Sequence, residues 1–123
     1  MHSFNKDVGY LGEDIAFRYL KNLGYIILDR NFSCKIGEID LIGKDKDYIC
    51  FIEVKSRYGT IYGKPCESIT YYKQRKIYKT AQMYILKKKL YPKFNFRFDV
   101  VEIILNHSNN NHSIRLIKNA FGL

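Results

Sequence analysis

At 123 residues and 46% hydrophobic content, the chain holds enough apolar material for one core and too little for two, so residues 1–123 read as a single domain and intrinsic disorder is excluded. A formal charge of +9, from 21 Lys and Arg against 12 Asp and Glu, suits a polyanionic partner, nucleic acid before any other. Cys34, Cys50 and Cys66 contain no Cys-x-x-Cys pair, which argues against a zinc quartet, and no apolar run nears the roughly 20 residues that span a bilayer. With no basic-then-apolar leader in residues 1–8, the expectation is a cytoplasmic protein with reduced thiols and no membrane partner.

Leu11, Ile15, Ala16, Tyr19, Leu20 and Leu23 recur at helical spacing and predict a first helix that Gly24 ends. Tyr25 to Phe32 reads as a strand, and Glu38 to Ile42 as an alternating one. The turn signal from Gly43 to Asp47 joins the latter to Tyr48–Lys55 as an antiparallel hairpin. Ser56 to Pro65 reads as a basic loop able to close over a substrate. A second helix, starting between Cys66 and Tyr71 and ending near Lys89, has Ile77, Ala81, Tyr84 and Ile85 as its buried stripe. Strands over Phe96–Leu105 and Ile114–Ile117 follow, with Phe121 in a short tail that docks its ring. Helix, three strands, helix and two strands make an α/β domain on a mixed five-stranded sheet flanked by helices.

Chemistry concentrates on the hairpin. Side chains alternate along a strand, so Glu38 shares a face with Asp40, and Glu53 with Lys55. If Lys46 and Asp47 form the tip, Asp40 lies opposite Glu53 and Glu38 opposite Lys55, whereas a slip of one residue separates the pairs. Two opposed carboxylates repel unless a cation lies between them, and hard oxygen donors suit Mg²⁺ or Mn²⁺. The alternative is a patch of cross-strand ion pairs, each worth roughly 0.2–1 kcal/mol. Arg57, Lys64, Lys73, Arg75, Lys76 and Lys79, interleaved with Tyr58, Tyr62, Tyr71, Tyr72 and Tyr78, form a surface suited to phosphates and bases. Asp99 is assigned to structure, pairing with Arg97 or capping backbone donors.

Asp40 followed by Glu53-Val54-Lys55 resembles the PD-(D/E)xK nuclease motif, with Ile39 in place of the proline before the aspartate. More closely, Gly37-Glu-Ile-Asp-Leu-Ile42 and Phe51-Ile-Glu-Val-Lys-Ser-Arg57 resemble the YraN family of bacterial proteins, as do Gly12-Glu-Asp-Ile-Ala16, Arg97-Phe-Asp-Val-Val101 and Asn119-Ala-Phe121. That resemblance implies a restriction-endonuclease-like core similar to Holliday-junction resolvases. It implies a metal-dependent nuclease acting on nucleic acid, with DNA, branched forms included, as the expected substrate. In that reading Asp40 and Glu53 ligate Mg²⁺ or Mn²⁺, Lys55 positions or activates the attacking water, and Glu13 from the first helix completes the metal site. Arg57, Lys64, Lys73, Gln74 and Lys76 are the nucleic-acid contacts, and Gln74 with Tyr78 resembles the Q-x-x-x-Y pattern of some such nucleases. A homodimer is compatible with the resemblance. The competing reading is a module that binds nucleic acid on the same fold without cutting it.

Overall fold

The computed structural model describes residues 2–59, 69–106 and 111–122. Helix α1 spans His2–Asn22 and is followed by strands β1 (Ile26–Ser33), β2 (Glu38–Asp45) and β3 (Tyr48–Tyr58). Helix α2 (Tyr71–Lys88), β4 (Asn95–Leu105) and β5 (His112–Phe121) complete the order. The sheet runs β1-β2-β3-β4-β5, and every neighbouring pair is antiparallel except β3 and β4. A parallel pair needs a crossover, and α2 lies within it. The architecture is therefore the mixed α/β sheet with flanking helices that the sequence predicts.

Alternation sorts the sheet into two faces. Leu41, Cys50, Ile52, Val101 and Ile103 pack against Ala16 and Leu20 of α1. Ile42, Ile49, Phe51 and Val100 pack against Ile77, Ala81 and Tyr84 of α2. Burial on both faces explains the near-continuous apolar runs of β3 and β4, which carry the parallel ladder.

Several features differ from the sequence reading: β2 runs on to Asp45 and β3 to Tyr58, so residues 56–58 of the expected loop are strand, held by the continuing ladder with β4. Helix α1 begins at His2 instead of Leu11, because a helix continues beyond the stretch whose apolar residues repeat at its period. Strand β5 extends through Lys118 and Asn119 to Phe121, so the expected tail is strand; its ring stacks on Phe98 with centroids 5.2 Å apart. In α2, Thr80 is buried and Ile85 is only partly covered. The Thr80 hydroxyl donates to the Lys76 carbonyl at 2.8 Å, which lets a polar residue occupy the stripe.

Beneath the α1 face lies a buried polar knot. Asp99, 0% exposed, accepts hydrogen bonds from Arg97 Nε at 2.9 Å and from the Asn119 backbone N–H at 2.9 Å. Arg97 also donates to the Tyr25 hydroxyl at 2.7 Å and reaches Asp45 at 3.2 Å. Asp99 thus does both structural jobs expected of it. Among the described residues, no helix is long and apolar enough to cross a membrane.

Candidate functional site

Residues 46 and 47 form the hairpin tip, with Lys46 at φ 57°, and the ladder runs from Asp45↔Tyr48 to Leu41↔Ile52. Asp40 and Glu53 lie one residue beyond its last pair, and the Glu53 charge acts on Asp40. There the Asp40 carboxylate reaches across, and its Oδ2 accepts the Val54 N–H at 2.8 Å. Glu53 is 9% exposed and projects toward α2.

Burial, then the neighbouring Glu53 charge, pushes the Asp40 carboxyl up to about 7, against the lowering effect of the Val54 hydrogen bond. Glu13 adds negative charge and Lys73 positive charge at the same point, so Asp40 senses both helices. Glu13 is itself raised, by burial first, while Asn31 and Arg30 oppose the rise. Its Oε1 is buried with no hydrogen-bond partner.

Gly12 brings α1 close enough for this arrangement. A Cβ added there would lie 2.6 Å from Ser56 Cβ. Gly12→Ala is expected to force α1 off β3 and cost about 1–3 kcal/mol. Urea unfolding checks this, and an unchanged midpoint would contradict the close approach.

Lys55 shares the Glu53 face of β3, but Glu38 does not pair with it: among the described residues, the Lys55 side chain makes no hydrogen bond or ion pair. The exposed Glu38 instead adds its charge to those around Glu13 and Lys73. The lysine that does meet a carboxylate is Lys73, whose Nζ stands 2.9 Å from Glu53 Oε1. Burial works against its charge, yet the hydrogen bond and charge of Glu53, helped by Asp40 and Glu38, raise it above the ordinary lysine value.

Sequence reading also passed over Glu102. It stands beside Lys55 in the parallel ladder, with Oε1 3.2 Å from Arg115 and Oε2 buried without a partner. No local pattern announces it, because parallel register is set by the crossover.

Of the expected phosphate contacts, Lys73 is the one shown to meet the acidic pair. Gln74 Nε2 is committed to the Ile69 carbonyl at 2.8 Å, closing the start of α2. Lys76 lies over the Tyr72 ring at 5.1 Å and Arg75 over Tyr71 at 5.8 Å, with both rings exposed, at 70% and 64%. Tyr78 packs near Phe98 and belongs to the sheet side. Arg57 is on β3, while Lys64, Tyr62 and most of the expected 56–65 loop lie outside the described residues.

The donor set fits a hard divalent cation: two carboxylates forced together, and an orphaned buried oxygen on Glu13 from the adjoining helix. Among the described residues, no three His, Cys, Asp or Glu side chains are gathered as tightly as in a ready-made metal site. The donors come as a pair, with Glu13 adjoining.

A five-stranded mixed sheet with a helix on each face, and an acidic pair just beyond the last β2–β3 rung, defines an α/β protein. The chain belongs to UPF0102, the family described as "Uncharacterised protein family UPF0102", whose profile matches residues 12–103. This is the YraN family that the motifs resemble. A UPF0102 protein of Clostridium kluyveri is 69% identical over 121 residues, covering 98% of this chain and 98% of that protein. One from Clostridium botulinum strain Loch Maree is 66% identical with the same coverage of both.

Proposed function

We propose that this chain is a metal-dependent nuclease that hydrolyses phosphodiester bonds of nucleic acid in the cytoplasm, with DNA, branched forms included, as its substrate. The observation that carries the reading is the enforced proximity of Asp40 and Glu53. Burial and the Glu53 charge favour a proton on Asp40 near neutral pH, and a divalent cation lets Asp40 ionise beside Glu53. Asp40 and Glu53 would hold Mg²⁺ or Mn²⁺, with Glu13 Oε1 as a further oxygen donor. When bound, the ion supplies Lewis-acid polarisation of the phosphoryl oxygen.

The chain's own residues do the rest. Lys55, on the same strand face as Glu53, orients the attacking water or a phosphate oxygen. Arg57, Lys64 and Lys76 neutralise the backbone, and the exposed Tyr71 and Tyr72 rings at the start of α2 offer stacking surface.

One observation favours the second reading, a module that binds without cutting: the Lys73 ammonium already satisfies Glu53. Incubating the purified chain with plasmid, single-stranded and four-way-junction DNA in Mg²⁺ or Mn²⁺ separates the two. The nuclease reading expects cleavage that disappears in Asp40→Ala, Glu53→Ala and Lys55→Ala while each variant remains folded. Binding at low salt with no cleavage under any metal supports the module instead.

A further inference from the structure

We propose that Lys73 is the resident counter-ion of the acidic pair, that its ammonium and a divalent cation compete for Glu53, and that the displaced ammonium then takes a substrate phosphate oxygen. The inference rests on the reading of Asp40 and Glu53 as a metal site and adds a positioning residue with two alternative partners.

Three observations carry it. The two ends of the ion pair differ in freedom: the Glu53 side chain is 10% exposed on a central strand, while that of Lys73 is 48% exposed. The carboxylate is fixed and the amine can leave. The backbone of Lys73 is pinned, since its N–H donates to the Thr70 hydroxyl at 3.2 Å and Gln74 braces the same turn, so movement is confined to the side chain. Finally, lysine is a compact single charge on a flexible stem and lacks the planar fork by which arginine locks a carboxylate with two bonds.

Electrostatics sets the direction of exchange. The ammonium faces Glu53, Asp40 and Glu38, with Glu13 adding its charge at Asp40. A divalent ion on the same oxygens neutralises them and repels the amine. Released from the first turn of α2, Lys73 lies beside Tyr72 and Lys76, on the cationic surface where a phosphate would arrive.

The test is Mn²⁺ uptake by the full chain without nucleic acid, followed by titration calorimetry. Lys73→Met is expected to bind Mn²⁺ about tenfold more tightly than the unaltered chain, equivalent to about 1.4 kcal/mol. Lys73→Arg, which restores the charge, should return most of the difference. With Mn²⁺ saturating, Lys73→Met should bind a phosphorothioate oligonucleotide more weakly than the unaltered chain, a split that a purely structural ion pair would not produce. Thermal melts verify folding, and Lys73→Gln serves if Lys73→Met does not fold. Equal or weaker Mn²⁺ binding by Lys73→Met, or by Lys73→Gln in its place, with clear uptake by the unaltered chain, overturns the exchange and leaves the metal site intact. Absence of uptake by every form, the unaltered chain included, removes the metal site and the exchange together.

Discussion

Asp40→Asn is expected to abolish metal-dependent cleavage while making the metal-free protein more stable above neutral pH. Asparagine keeps an oxygen for the Val54 N–H but removes the charge that Glu53 opposes. The loss of cleavage should exceed the roughly 10–100-fold typical of removing a metal ligand's outer partner. The stability effect follows from proton linkage. In the unfolded chain Asp40 releases its proton near the ordinary 3.8, and in the folded chain near 7. The favourable contribution is therefore complete below about pH 4 and drains away as pH rises through about 7. Asparagine does not ionise, so at pH 8 the variant should be more stable by on the order of 2–4 kcal/mol. Urea unfolding at pH 5 and pH 8 reads this directly; a variant less stable than the parent at pH 8 would show that repulsion is not stored at this position. Adding Mn²⁺ should stabilise the unaltered chain and leave Asp40→Asn almost unmoved.

The second large effect belongs to the buried knot. Arg97→Leu strips Asp99 of its charged donor while leaving the carboxylate 0% exposed, and should cost about 3–5 kcal/mol. Adding Asp99→Leu should recover part of that loss, because the uncompensated charge disappears; the Asn119 N–H, left without its acceptor, limits the recovery. A double-mutant cycle by chemical denaturation gives the coupling. Strict additivity of the two losses would mean that Arg97 acts on Asp99 no more than on any distant residue.

The features legible in the sequence are the local ones. Asp40 and Glu53 could be set opposite one another because the short turn at Lys46 and Asp47 fixes the register of every residue behind it. Helix α2 was readable for the same kind of reason, since Ile77, Ala81 and Tyr84 repeat at its own period. Lys73 was readable only as a basic residue near phosphate. Its contact with Glu53 depends on how the crossover returns α2 to the sheet, which no periodicity encodes. Glu102 escaped for the same reason, as its position beside Lys55 follows from parallel pairing between strands separated by a helix. The expected Glu38–Lys55 pair followed from alternation alone, but among the described residues Glu38 acts on the helix-borne groups Glu13 and Lys73.

The contrast between hairpin and crossover also bears on how the chain assembles. Asp40 reaches Val54 across a separation of 14 residues, whereas the Tyr25 hydroxyl meets Asp99 across 74. Short closures lose little chain entropy and form quickly; long ones must wait until most of the polypeptide is available. During synthesis the two acidic groups can therefore meet before Lys73 and Arg97 have left the ribosome, and the nascent hairpin carries unbalanced negative charge until the later half of the chain closes over it.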